Sequence, residues 1–449
     1  MKKFLKYLGA AILLILTYVV STNYPKLNII TGYSAKSVAS GMFIGNRTQK
    51  SLEKRDNNFS PINLASNVVD IEGKKVESTL YGLSMHTAIY REGLGAVVVT
   101  SDYNENETFV SPHRNLTKIN APYPYGDLPQ KDTVFTNVDY SKLNEVVLAQ
   151  INNDTARIQG TSSLLVIYKN QIIAEEYAEG FDKTSKLLGW SMTKSITGTM
   201  YGIMQKKGMI DVTKPVDIDY WQKDDRKNIT YNNLLQMNSG LEWEEDYGKI
   251  CDVTEMLYLD RDMSVKQSKK DLIGKPNETW YYSSGTTNLL SGMLMKRQFE
   301  TQQEYLDFWY KELIDKMGMH SMLIETDLSG NFVGSSYSWA NTRDWAKLGL
   351  LYMNKGNWNG EQIIDSSWVE YATTPTNTSK GQYGAQIWLN KEGLNYPDVP
   401  KDLFYFGGYQ GQKVYMIPSK DLVVVRMGID NSVKTDFNKL LKDIIATIK

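Results

Sequence analysis

Two apolar hairpin patterns, lying on either side of a long helix-rich middle, constrain the fold of this chain more than any other feature. The first, "SSLLVIYKNQIIAEEYAEG" (162–180), sets Lys169-Asn170 between two strand-like runs. The second, "QKVYMIPSKDLVVVRMG" (412–428), turns at Pro418-Ser419-Lys420. After it, Phe437, Leu440, Leu441, Ile444, Ile445 and Ile448 recur at intervals of three and four, which makes one apolar helix face. The simplest packing joins the two hairpins into one antiparallel sheet, lays the last helix on one face, and sets the helical block 187–380 on the other. The expected class is α/β (α+β), an antiparallel sheet flanked by helices with a helical subdomain.

A chain of 449 residues exceeds what one core usually organises, so a large domain with a smaller partner is expected. The smaller part is read as a β-rich extension over 25–135, where "NVVDIEGKKVEST" and "HTAIYREGLGAVVVT" place Glu72-Gly73 and Glu92-Gly93-Leu94-Gly95 between apolar runs. Three prolines around Gly126 in "NAPYPYGDLPQKDT" (120–133) forbid regular ladders, which puts the boundary there and the main domain at 136–449.

Lys2, Lys3 and Lys6 ahead of the apolar run Leu8–Val20 read as an export signal within 1–24. Val19-Val20-Ser21 is only a fair cleavage site, so a cleaved peptide and a retained anchor both stay open. The expected location is periplasmic, or the outer face of a bacterial inner membrane. Cys251 is the only cysteine, which excludes an intrachain disulfide and a thiolate metal cluster. Lys+Arg at 50 against Asp+Glu at 51, with no like-charge block, argues against nucleic acid as a partner.

Within "GWSMTKSITGTMYGIM" (189–204), Ser191 and Lys194 stand three apart at a helix start, on one face. Met192, Ile196, Met200 and Ile203 supply the apolar stripe, and Lys206-Lys207-Gly208 the C-terminal end. Ser191 would sit at the positive end of the helix dipole, where free N–H groups can hold an oxyanion. A serine hydroxyl needs a base, and lysine serves only when its amine is neutral. The spacing alone is weak, because Ser51-Leu-Glu-Lys54 repeats it in a charged run that reads as uncapped. With only His86, His113 and His320 in the chain, none metal-spaced, a Ser-His-Asp arrangement is improbable, and a lysine or tyrosine must be the base.

"SMTK" (191–194), "LLQMNSGL" (234–241) and "YSS" (282–284) resemble, in order and spacing, the motifs of the serine β-lactamase and penicillin-recognising superfamily. The likeness covers about 140–449, is strongest to class C-related serine hydrolases of the 6-aminohexanoate-dimer hydrolase-like branch, and extends to 335–364 and the last hairpin. It implies a β-lactamase/transpeptidase-like fold and no metal or organic cofactor. It assigns Ser191 as nucleophile, Lys194 and Tyr282 to proton transfer, and Ser284 to the position usually held by Asn or Ser. A nearby ammonium is expected to lower the Tyr282 phenol's pKa, so that a tyrosinate shares the proton.

The family's third element is Lys or His, then Thr or Ser, then Gly, but here it reads Phe406-Gly407-Gly408, followed by Tyr409. The missing cation makes a β-lactam or D-Ala-D-Ala carboxylate doubtful as substrate. Gly408 would permit close approach, and the Tyr409 N–H is the candidate second oxyanion donor. "EEDYGKICD" resembles the branch's Glu-x-Tyr loop, which makes Tyr247 a candidate contact to the substrate amide, while Cys251 nearby reads as a small buried residue. The expected activity is an extracytoplasmic serine hydrolase acting on a small amide, ester or short peptide. A D,D-carboxypeptidase or β-lactamase, and a non-catalytic membrane-anchored binding or sensor protein of the same fold, are the alternatives.

Overall fold

The computed structural model of the protein describes residues 2–152, 160–430 and 434–449. Lys169 and Asn170 take φ of 49° and 61°, the left-handed pair that a two-residue hairpin turn demands, and join strands Thr161–Tyr168 and Gln171–Tyr177. The late hairpin joins Gln412–Ile417 to Leu422–Gly428, reversing through Pro418–Lys420 with Asp421 at φ 48°. Leu422–Gly428 then pairs antiparallel with Thr161–Tyr168, Val424 opposite Val166, so strands from both ends of the domain share one sheet. Its six strands run in the order Trp388–Leu389, Phe404–Gly408, Gln412–Ile417, Leu422–Gly428, Thr161–Tyr168, Gln171–Tyr177.

Alternation along these strands divides the core in two. Leu165, Ile167, Val423 and Val425 face the helical block, where they join Ile196, Met200, Leu348 and Leu351. Leu164, Val166, Leu422 and Val424 face the other way, onto Leu440, Leu441 and Ile444 of the last helix (Phe437–Ile445) and Leu143 and Val147 of helix Tyr140–Asn152. Fully burying such a side chain is worth about 1.5–3 kcal/mol, which explains why the apolar face of the last helix was readable from its spacing.

The extension differs from its sequence reading. Residues 25–43, expected to form strands, belong to one long helix, Lys2–Phe43. The face it turns to the neighbouring strands is made of small residues, Ala35, Val38 and Ala39, which give a weak apolar signal but allow the helix to lie close on Val76, Ala88, Ala96 and Val98. Those residues belong to the four-stranded meander Ser66–Asp70, Lys75–Leu80, Leu83–Arg91 and Gly95–Val98. Glycines 93 and 95, both at φ 74°, make the turn expected there. The Ser51 run is also not uncapped: Thr48 accepts from the Ser51 N–H at 3.2 Å and starts the short helix Gln49–Lys54.

A buried ion pair ties the long helix to the main domain. Lys36 Nζ lies 2.7 Å from Glu325 Oε1, and Ser40 Oγ, the Ala96 N–H and Trp339 Nε1 all donate to the same carboxylate. Side chains of Lys2, Lys3, Lys6 and Val19-Val20-Ser21, on which the export reading rests, lie outside the described residues. Among the described residues no helix is long and apolar enough to cross a membrane.

Candidate active site

Gly189 and Gly408 set the nucleophile against the sheet edge. A Cβ on Gly189 would fall 2.1 Å from the Trp345 ring, and one on Gly408 would fall 2.1 Å from the Gly189 carbonyl oxygen. Glycine at 408 lets the Phe404–Gly408 strand approach this closely, and glycine at 189 leaves room for the Trp345 ring. Trp190 follows with φ 48°, a left-handed conformation unusual for a bulky side chain. Ser191 sits in a single tight turn, Trp190–Met192, from which helix Thr193–Lys206 continues. Its N–H is therefore in the first turn, where amides have no partner within the helix. Thr193 Oγ1 bonds the Trp190 carbonyl at 2.7 Å and pairs with Ser338 Oγ at 2.6 Å, which fixes the entry.

Lys194 is 1 % exposed, and its Nζ reaches Ser191 Oγ at 3.1 Å, Ser284 Oγ at 3.0 Å and the Ser335 carbonyl at 2.8 Å. Burial lowers its pKa to about 8, against the raising influence of Glu245. The amine is thus partly neutral near neutral pH, the state a general base requires.

Tyr282 stands over the same ammonium, with Lys194 Nζ 4.8 Å from its ring centroid, and lines the cleft together with Ser191. The expected tyrosinate is not supported. Burial, with Glu245 adding to it, pushes the phenol well above its usual pKa, outweighing the opposing influence of Ser191 and Trp388 nearby. Desolvation is the largest influence on this phenol, so burial keeps it neutral. Ser284 opens helix Ser284–Leu289 and links Lys194 to a carboxylate: its Oγ donates to Glu245 Oε1 at 2.5 Å and its N–H to Glu245 Oε2 at 2.8 Å. Trp243 Nε1 donates to Glu245 as well, at 2.6 Å. The sequence pointed to Tyr247 in this loop. The structure shows Glu245 to be the more connected member, with the Tyr247 hydroxyl 3.4 Å from it.

Ser191, Tyr247, Tyr282, Trp388 and Gly408 line an open cleft of about 720 Å³, and Tyr409 does so beside them. Two further lysines that the sequence reading missed, Lys413 and Lys434, line it. Lys413 is paired across the sheet from Gly407, and its Nζ stands 3.3 Å from where a Gly407 Cβ would be and 4.7 Å from the Tyr405 ring centroid. Burial, reinforced by the Arg426 guanidinium, lowers its pKa to about 8. Lys413 thus reaches the cleft from the strand next to Phe406-Gly407-Gly408, and only the hairpin register, invisible in the sequence, reveals it.

The remaining candidates fall away from the cleft. His86 Nδ1 bonds Thr31 at 2.8 Å, His113 pairs with Asp307 at 3.0 Å on the surface, and His320 lies in a turn. Cys251 is buried at a helix start with its thiol on the Asp246 carbonyl at 3.1 Å. Ser51 Oγ accepts from Arg47 at 2.8 Å, while Lys54 is exposed. Among the described residues no group of His, Cys, Asp and Glu could hold a metal ion.

A six-stranded antiparallel sheet between helices, with a Ser-Lys-Tyr cluster at its edge, defines the serine β-lactamase/transpeptidase class of fold. Residues 150–439 match the beta-lactamase family, more than half of the chain, and the protein belongs to that family of serine hydrolases. The 6-aminohexanoate-dimer hydrolase of Paenarthrobacter ureafaciens is 25% identical over 306 residues, covering 60% of this chain and 72% of that one. Among solved structures, a family VIII carboxylesterase superposes with TM-score 0.54 at 15% identity, covering 71% of this chain and 98% of the other. A class C β-lactamase mutant superposes with TM-score 0.53 at 13% identity, covering 70% and 100%.

Proposed function

We propose that this protein hydrolyses a small amide or ester through an acyl-enzyme on Ser191. The observation that carries the reading is the 3.1 Å contact between Ser191 Oγ and a buried lysine amine whose pKa is lowered to about 8. Ser191 Oγ attacks the carbonyl carbon while its proton passes to Lys194 Nζ, and the N–H groups of Ser191 and Tyr409 receive the oxyanion. The tetrahedral adduct collapses, the carbonyl re-forms, and the leaving nitrogen or oxygen takes a proton from the Tyr282 phenol, which Lys194 replenishes. Water then adds to the acyl carbonyl, giving its proton to the same pair, and the pair passes that proton to Ser191 Oγ as the ester bond breaks and the acid leaves. Cleavage of an amide is in keeping with the 6-aminohexanoate-dimer hydrolase relative.

A second reading is favoured by Lys413. Its ammonium in the cleft suits a substrate that carries a carboxylate, so a D,D-carboxypeptidase or β-lactamase activity keeps a physical basis despite Phe406. Export to the periplasm, or anchoring at the outer face of the inner membrane, is proposed from Lys2, Lys3, Lys6 and the apolar run after them. A fluorophosphonate probe tests the chemistry. Labelling should vanish in Ser191→Ala and persist in Ser51→Ala, whereas an unlabelled wild type would favour a non-catalytic binding protein. A screen of short amides, D-amino-acid peptides, penicillins and p-nitrophenyl esters separates the substrate classes.

A further inference from the structure

The residue before the nucleophile is held in a conformation that a tryptophan does not adopt unaided. Trp190 has φ 48°, and such a backbone persists only where its surroundings over-determine it. Three tyrosine rings surround its indole. Tyr337 lies 5.9 Å away between centroids, and Tyr409 meets it edge-on at 5.4 Å. Tyr33 stacks on it at 6.2 Å with 20° between the planes. Tyr33 comes from the long N-terminal helix, outside the 150–439 segment.

The contacts continue on both sides. Behind Tyr33 stand Phe59 and Tyr258, each at 5.6 Å, and the Lys36–Glu325 pair one turn along the helix fixes its height on the domain. Ahead of Trp190, Tyr409 stacks on Tyr247 at 5.2 Å and 18°. One aromatic series therefore runs from the N-terminal helix to Trp190, which adjoins Ser191, and on to Tyr409; the Ser191 and Tyr409 N–H groups are the oxyanion donors of the mechanism proposed above. A cavity of about 50 Å³, lined by Tyr33, Trp190, Tyr258 and Tyr337, adjoins the stack. It gives the indole somewhere to move if the Tyr33 face is lost.

We propose that Tyr33 is a positioning residue: by stacking on Trp190, the N-terminal helix sets the two oxyanion donors of the hydrolase domain. The inference rests on the acyl-enzyme reading above. Tyr33 touches neither substrate nor reacting atoms, so its effect must appear in transition-state stabilisation rather than in binding.

The test uses the full chain with a p-nitrophenyl ester and an arylboronic acid, which forms a tetrahedral adduct on a serine. Circular dichroism and a thermal midpoint establish that each variant is folded at the assay temperature. Tyr33→Leu is expected to lower kcat by about tenfold to a hundredfold, a part of the effect of losing an oxyanion donor outright, with KM within about twofold. Boronate affinity should fall in parallel, Tyr33→Phe should restore both, and the pH midpoint near 8 should stay in place because Lys194 is untouched. Should Tyr33→Leu fail to fold, Tyr33→Met, whose longer unbranched side chain can adapt to the site without offering a flat face, carries the same expectation. A folded Leu or Met variant with wild-type kcat and boronate affinity overturns the proposal, as does an equal loss in Tyr33→Phe. A wild type that neither turns over esters nor labels at Ser191 overturns the hydrolase reading, and this inference with it.

Discussion

Replacing Lys194 by methionine should abolish turnover and at the same time stabilise the protein, by an amount that depends on pH in a predictable direction. A lysine whose pKa falls from 10.5 to about 8 on folding carries roughly 3 kcal/mol of unfavourable free energy wherever it is protonated in both states. Methionine removes that penalty but leaves the Ser335 carbonyl and the Ser284 hydroxyl without their donor, which costs about 1–2 kcal/mol. The variant should therefore be more stable than wild type by about 1–2 kcal/mol at pH 7. The sign of the pH dependence follows from proton binding. Between pH 8 and 10.5 the unfolded lysine holds a proton that the folded one has lost, so wild-type stability rises with pH in that window and the variant's does not. Urea denaturation of both proteins from pH 7 to 10 measures the difference, in which the other titrating groups largely cancel. The difference should swing by roughly 2–3 kcal/mol in favour of wild type on going to pH 10. A difference that is flat with pH would show that Lys194 titrates normally, and would remove the lysine base from the mechanism.

Activity should follow the same group: kcat/KM is expected to climb through an apparent pKa near 8, since only about a tenth of such an amine is neutral at pH 7. Tyr282→Phe should cut kcat by about a hundredfold or more without shifting that limb, because the phenol is neutral throughout; stopped-flow ester hydrolysis across pH 6–10 checks both. Lys413→Gln should raise KM for carboxylate-bearing substrates by about tenfold while leaving neutral esters unaffected, measured as paired KM values on an acid and its methyl ester. Gly408→Ala should lower the melting temperature and activity together, since its methyl group would meet the Gly189 carbonyl at 2.1 Å, and calorimetry with an ester assay reads both.

Legibility in the sequence followed the range of the interaction. Ser191 and Lys194 are three residues apart, and the helix alone brings them together, so their contact was readable. The two hairpins were readable because a turn such as Lys169-Asn170 is local, and the last helix because its face is large and apolar. The role of Glu245 depends on Ser284, thirty-nine residues away, and that of Lys413 on a register that shifts every side chain if it slips by one. The helix over 25–43 was missed for a different reason: alanine, glycine and serine write a close-packed face that hydrophobic periodicity does not see.

The site concentrates its unfavourable features in five consecutive residues. Trp190 has a left-handed backbone, costing about 1–2 kcal/mol, and Lys194 is buried at roughly 3 kcal/mol, with the nucleophile between them. A segment of this kind relaxes unless it is held from several sides, because a small shift would relieve both costs at once. Three separate parts of the chain do the holding: Gly408 on the sheet edge against Gly189, the Ser335 carbonyl on Lys194, and Tyr33 on Trp190. The first two lie within the family's segment and the third does not. The Lys36–Glu325 pair fits this picture better as a register device than as a source of net stability, since two buried charges gain little over an apolar pair but tolerate only one seating of the helix. A helix seated one turn away would leave Trp190 without its stacking partner, so the ion pair and the reactive geometry are linked through Tyr33.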